Sequence, residues 1–299
     1  MKVTVAALWL TAGGTRKDLS SARYLQSVDP ARTFAPADAP MTRSSTITTS
    51  EIGGHTVIRC VPHDVSSGRE LVYLPGGGYV NPLVSQHWWI IQRLMTGMRT
   101  AVTIPMYPLS PEHTVDDARP FIDAAYDAVA ARPDTRQIFV AGDSAGGNAA
   151  LTLVLRLRDS PRRSPDGVIL LAPWMDLGLR HPDAWERQRR DPSLRAAGLR
   201  AAGEIWAASH SMTDPQISPL YDHGAELPPT LMVQGVRDIF LADTRDFAAK
   251  AHSAGSPVRA IFAPDGFHVY PGAYWTPEAR FVYETAARFA DDPERVARE

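Results

Sequence analysis

The segment Gln137-Ile138-Phe139-Val140-Ala141-Gly142-Asp143-Ser144-Ala145-Gly146-Gly147-Asn148 decides how the rest of the chain is read. An apolar run over residues 137–141 feeds directly into Gly-x-Ser-x-Gly, and residues 148–158 continue with helical character. Strand, sharp turn and helix in that order hold a serine in a strained backbone conformation with its hydroxyl presented. Glycines flank it because side chains there would collide with the strand or the helix. Five residues with three fixed positions are a modest signal by themselves; the placement between strand and helix makes Ser144 a candidate nucleophile.

Working outward, residues 70–290 alternate short apolar strands with helices. Strands are expected at 71–74, 101–105, 138–141, 167–172, 230–235 and 258–262, and helices at 86–96, 115–131, 148–158, 244–254 and 277–290. Such alternation predicts a mostly parallel sheet with helices on both faces. Upstream, β-branched runs at 45–52 and 56–61 flank Gly53-Gly54, a hairpin signal and an antiparallel start to the sheet. Residues 3–30 carry loosely helical apolar spacing, read as one or two short helices, and 33–43 is a proline- and alanine-rich connector. The sequence thus divides into an N-terminal helical cap segment and connector, 1–44, and a catalytic domain, 45–299. The span between Met175 and Pro228 is far longer than a strand–helix connection needs. It holds a charged, tryptophan-bearing stretch, 182–190, then 192–208, whose apolar spacing suits an amphipathic helix, and is read as a cap insertion at about 176–226 lying over the strand ends, where ligands bind in open α/β sheets.

A serine hydroxyl becomes a nucleophile at neutral pH only with a base in reach, itself oriented by a carboxylate. With a strand–turn–helix serine the partners follow in the order acid, then histidine. Asp238 follows the strand 230–235 in Gly235-Val236-Arg237-Asp238, and His268 follows the strand 258–262 in Pro264-Asp265-Gly266-Phe267-His268. Of the nine histidines only His252 and His268 come after the acid, and His252 falls inside a predicted helix. Asp243, placed to cap the helix that starts at Thr244, is the weaker acid candidate, and Asp265 reads as a turn former. Negative charge developing on a carbonyl oxygen needs preorganised donors. Pro75-Gly76-Gly77-Gly78-Tyr79 follows the strand 71–74 and offers bare backbone N–H groups, with Ala145 N–H supplying another.

From about residue 71 to 270 the chain resembles the hormone-sensitive-lipase-like branch of the α/β-hydrolases, which contains many bacterial carboxylesterases. The resemblance rests on the triple-glycine loop, Tyr107-Pro108-Leu109-Ser110-Pro111-Glu112, the elbow Gly142 to Gly147 and Ala172-Pro173-Trp174-Met175-Asp176-Leu177. Asp214-Pro215 before Ile217-Ser218-Pro219-Leu220, then Asp238 and His268, complete it. It implies an α/β-hydrolase fold with a helical cap. Ser144 would be the nucleophile, His268 its base, Asp238 the orienting acid, and Gly77, Gly78 and Ala145 the oxyanion donors. The implied activity is hydrolysis of small to medium carboxylic esters through an acyl-enzyme. Acyl transfer, dehydration or elimination on the same scaffold, and non-catalytic binding, are the alternatives. One departure concerns the loop, where Pro75 stands in place of the family's histidine and changes how the loop must be braced. The segment 107–112 is read as a structural brace near the elbow, with Glu112 a minor alternative acid. Tyr79, Val80, Trp88, Trp89, Trp174, Trp206 and Phe240 are the candidates for an apolar substrate pocket.

Composition narrows the partners. At 44% apolar and 21% charged residues the 299-residue chain can build a large core, and a formal net charge of −2 calls for neither nucleic acid nor a membrane surface. No apolar run is long enough to span a bilayer. Residues 3–12 are short, threonine-containing and lack a small-x-small cleavage site, so a cytoplasmic protein is expected rather than a secreted one. Cys60 is the single cysteine, which rules out an internal disulfide, and no cluster has metal-ligand spacing, so neither cofactor nor metal is expected. Helices and an edge strand near the C-terminus leave a homodimer open.

Overall fold

A computed structural model describes residues 1, 4, 28–29, 31–64 and 68–299. The helices expected over residues 3–30 lie outside the described residues, apart from isolated positions. The described chain forms one eight-stranded sheet in the order β1-β2-β4-β3-β5-β6-β7-β8. The strands are β1 Ser45–Ile52, β2 His55–Pro62, β3 Arg69–Leu74, β4 Ala101–Pro105, β5 Gln137–Asp143, β6 Gly167–Leu171, β7 Thr230–Gly235 and β8 Val258–Ala263. β1, β2 and β4 pair antiparallel, and every pairing from β4 to β8 is parallel.

The parallel strands are continuous apolar runs because both faces are covered. Along β3, Leu71 and Tyr73 point to one face and Val72 and Leu74 to the other, and the same alternation sorts Phe139 from Val140 and Ile169 from Val168 into two cores. Helices α1 Ala39–Ser44 and α2 Ser85–Met98 precede β4, followed by α3 Val115–Ala130 and α4 Ala145–Arg158. Next come α5 Pro182–Arg187, α6 Ala196–Ala207, α7 Leu241–Ser253, α8 Pro277–Asp291 and α9 Pro293–Arg298. In α2, Trp88, Ile91, Met95 and Met98 recur at i, i+3, i+7 and i+10 and bury one stripe against the Leu71/Tyr73 face, with Ala279, Val282, Ala286 and Phe289 of α8 beside them. The α3 and α4 helices cover the opposite face. Cys60 is buried in β2, and burial pushes its thiol pKa up to about 12, so it packs as an apolar residue.

Three local readings need correction. Residues 33–43 are not all connector: Asp38 accepts a hydrogen bond from Met41 N and, with Pro40 in the first turn, starts α1. The helix after β7 begins at Leu241 rather than Thr244, so Asp243 lies inside its first turn, buried, instead of capping it. The C-terminal α9 has no counterpart in the sequence reading; Asp292 caps it by accepting from Arg295 N.

Two features position the site. Around β3 and β5 the chain reverses the direction in which strands are added, so α2 and α4 leave on opposite faces and a crevice opens at the C-terminal strand ends. The loops after β3, β5, β7 and β8 all emerge there, and the span between β6 and β7 supplies α5, α6 and the 3₁₀ turn Pro219–Tyr221. No helix among the described residues is long and apolar enough to cross a membrane.

Candidate active site

Ser144 sits between β5 and α4 with φ 54° and ψ −120°, a left-handed conformation that only a fixed surrounding can hold. Its N–H donates to Leu171 O at 2.9 Å, and its carbonyl accepts from Trp174 N at 3.0 Å and Asn148 N at 3.1 Å. The turn is tight enough that a Cβ on Gly146 would strike the Leu74 carbonyl, and one on Gly142 would strike that of Gly146. Ala145 is the first residue of α4, so its N–H points out of the helix end beside the serine, while its side chain is fully buried.

His268 and Asp238 meet from neighbouring loops. His268 Nδ1 is 2.8 Å from Asp238 Oδ2, and Asp238 Oδ1 accepts from Phe240 N at 3.0 Å. Asp238 is completely buried. Burial disfavours the imidazolium of His268, but Asp238 by charge and hydrogen bond, then Asp191 and Asp143 by charge, outweigh it and raise its pKa above the ordinary 6.5. Among the described residues no hydrogen bond joins Ser144 Oγ to His268; both side chains face one cavity.

That cavity encloses about 710 Å³ and is lined by Gly77, Gly78, Ser144 and His268 together with Trp89, Ile90, Leu194, Leu199, Phe267 and Trp275 among others. Gly77 has φ 130°, a region closed to side chains, and its Cβ would run into Asn81 O. The carbonyl of Gly77 is taken up by Val80 N, Asn81 N and Asn81 Nδ2, whereas no hydrogen bond among the described residues uses the N–H of Gly77 or Gly78.

Two braces hold this loop without a histidine at position 75. Tyr107 donates its hydroxyl to Pro75 O, and Gly76 N–H donates to Asp143 Oδ1 at 3.0 Å. Asp143 also accepts from Tyr73 OH at 2.6 Å, and His87 Nε2 lies 3.3 Å from Asp143 Oδ2. Because His87 Nδ1 accepts from Val84 N at 2.8 Å, its remaining hydrogen is on Nε2, directed at the carboxylate. Burial opposes charge on Asp143, but His87, Tyr73 and Gly76 N–H together hold its pKa below the usual carboxylate value. Glu112 lies away from this centre, 45% exposed and paired with Arg32 at 2.6 Å.

The aromatic assignments divide sharply. Tyr79, Trp88, Trp174, Trp206 and Phe240 do not line the cavity; each is at most 3% exposed. Tyr79 stacks on Trp206 at 3.9 Å and donates to Asn148 Oδ1, and Phe240 stacks on Trp174 and meets the His268 ring nearly at right angles, 5.3 Å between centroids. Trp88 faces the core and donates to Ala35 O, while its neighbour Trp89 reaches the cavity, since successive positions on a helix point about 100° apart. Val80 is likewise core. Sequence reading missed Phe267, Trp275, Leu194 and Leu199 as lining, and gave no role to His87, Asp143 or Asp191. Asp143 was in plain view beside Ser144; the contacts that tie His87 to Asp143 and Asp191 to Ile239 span about fifty positions and leave no mark in the local sequence.

Comparison with known proteins agrees with this architecture. The α/β hydrolase fold family matches residues 71–272. The chain is 32% identical to an esterase of Acinetobacter venetianus over 75% of this chain and 76% of that protein. It is 31% identical to an acetyl-hydrolase of Streptomyces hygroscopicus over 79% of this chain and 80% of that protein. Among solved structures, a hormone-sensitive lipase from a metagenome library superposes with a TM-score of 0.81 at 22% identity, covering 99% of this chain and 98% of that one.

Proposed function

We propose, for a chain that belongs to the α/β hydrolase fold family, that it is a carboxylesterase acting through Ser144, His268 and Asp238. The observation that carries this reading is the single cavity onto which Ser144, His268 and the glycine loop open, with Asp238 hydrogen-bonded to the far side of the imidazole. His268 Nε2 takes the proton of Ser144 as Oγ attacks the ester carbonyl. Gly77, Gly78 and Ala145 donate N–H to the oxyanion, and His268 returns the proton to the departing alcohol. Water repeats the sequence on the acyl-enzyme and releases the acid. Asp238 keeps the Nδ1 hydrogen in place, so that Nε2 is the free acceptor.

The lining supports a neutral, apolar ester. No Lys or Arg contributes to the cavity among the described residues; Trp89, Ile90, Leu194, Leu199, Phe267 and Trp275 supply apolar wall, beside polar positions such as Asn81, Gln86, His87 and Asp143. The relatives named esterase and acetyl-hydrolase fit the same class. Residues 176–226 act as a cap in this reading, contributing Ser193 and Leu194 from the turn between α5 and α6, and Leu199 from α6, to the cavity wall.

Hydrolysis of p-nitrophenyl acetate and butyrate by purified protein, with Ser144→Ala as control, tests the reading. Release of free acid that disappears in the variant is the expected result. Turnover that survives the substitution, or that yields only acyl transfer to added alcohol, contradicts it.

A further inference from the structure

We propose that Asp191, in the segment between α5 and α6, is a positioning residue that clamps the loop of Asp238 to the cap and turns its carboxylate toward His268. The inference rests on the esterase reading of the same site and adds a residue outside its three members.

Asp191 is fully buried. Its Oδ1 accepts from Ser193 N at 2.8 Å, Ser193 Oγ at 2.9 Å and Leu194 N at 3.0 Å, which fixes the turn that carries Ser193 and Leu194 into the cavity wall. Its Oδ2 accepts from Ile239 N at 3.2 Å, the residue directly after Asp238. On the other side of the acid, Arg187 Nη1 of α5 donates to Val236 O at 2.8 Å. The cap therefore grips residues 236–239 on both sides of Asp238. A shift of the cap moves the cavity wall and the acid loop together.

The charges reinforce the geometry. His268 is faced by three carboxylates: Asp238 from its own hydrogen bond, Asp191 from the cap and Asp143 from the elbow. Asp191 in turn is faced by Asp238 and His268; burial first, and Asp238 second, raise its pKa, while His268 and the Ser193 and Leu194 N–H groups lower it. When Ser144 gives up its proton, Asp191 and Asp238 both face the imidazolium that forms. Charge fixed in advance where charge develops favours the transition state over the ground state.

Asp191→Asn and Asp191→Ala in the full chain, assayed on p-nitrophenyl acetate and octanoate from about pH 5 to 9, test the role. The asparagine keeps the volume and one acceptor oxygen, so it stays assayable even if the alanine variant fails to fold. The expected result for Asp191→Asn is about a tenfold fall in kcat with the acetate KM within about twofold, and an acid limb of kcat/KM displaced to lower pH. Asp191→Ala, which frees the Leu194 turn, should also change the octanoate-to-acetate ratio. An Asp191→Asn enzyme with an unmoved acid limb, whether kcat is normal or merely reduced through lost stability, overturns the proposal. Wild-type protein without Ser144-dependent turnover overturns the esterase reading instead, and this role with it.

Discussion

His268 Nδ1 lies 2.8 Å from Asp238 Oδ2, with the carboxylate wholly buried and its other oxygen held by Phe240 N. This pair leaves Nε2 facing the cavity as the only imidazole nitrogen free to take a proton. Asp238→Asn should therefore present a donor to Nδ1, invert the tautomer and lower kcat by about 10⁴-fold, with KM little changed. Steady-state kinetics beside a circular dichroism spectrum separates this from unfolding.

The pH profile follows from the same pair. His268 must be neutral to act as a base, and Asp238, Asp191 and Asp143 raise its pKa above the ordinary 6.5 against the opposing effect of burial. The kcat/KM for a neutral ester should fall as pH drops through a midpoint above 6.5, and stay level at higher pH until another group titrates. A midpoint below 6.5 would show that desolvation outweighs the carboxylates.

The brace on the glycine loop, the oxyanion donor in the proposed function, is testable through Tyr107. Removing its hydroxyl in Tyr107→Phe leaves the buried Pro75 carbonyl without its donor, costing about 1–3 kcal/mol. Because the loop carries Gly77 and Gly78, kcat should fall roughly tenfold or more while thermal unfolding shifts by only a few degrees.

Core and cavity tryptophans should behave differently. Trp174→Ala removes a fully buried ring that stacks on Phe240, and is expected to destabilise the fold by about 3–5 kcal/mol. Trp275→Ala, at a residue 54% exposed on the cavity rim, should leave the melting temperature nearly unchanged and raise KM for long-chain esters more than for acetate. Thermal melts and an acyl-length series distinguish the two.

Asp243 gives a stability prediction with a definite sign. It is 1% exposed, neither carboxylate oxygen has a partner among the described residues, and burial, then Asp176, Asp246 and Asp183, raise its pKa to about 8. The folded state keeps this proton between the ordinary value of 3.8 and about 8 while the unfolded state loses it. Stability therefore declines through that window and levels off above it. Asp243→Asn, neutral throughout, should match wild type near pH 4 and exceed it by a few kcal/mol near pH 8. Urea denaturation at the two pH values measures the difference.

The fold was legible because its signals are local. The β1–β2 hairpin announces itself through Gly53-Gly54, and the buried strands through short apolar runs such as Ala101 to Pro105. The strand–turn–helix at Ser144 and the meeting of Asp238 with His268 were readable because the elbow is a sequence motif and each partner lies in the loop after a strand. The aromatic lining was not readable, because Trp88 and Trp89 are adjacent in sequence and chemically alike, and only the packing of α2 against the sheet decides which faces the cavity. The helix beginning at Leu241 was placed three residues late because its entry is set by the Asp238 turn rather than by the Asp243 side chain. The links of His87 to Asp143 and of Asp191 to Ile239 were invisible for a third reason: each spans about fifty residues, while the local bonds of His87 to Val84 and of Asp191 to Ser193 and Leu194 read only as turns.

Labelling with a fluorophosphonate followed by mass mapping tests the central claim most directly, because the reagent modifies only a serine activated by its neighbours. A single adduct on Ser144, lost in Ser144→Ala and slowed in His268→Ala, is the predicted result. An adduct on any other residue, or no adduct in protein that hydrolyses esters, would contradict the account.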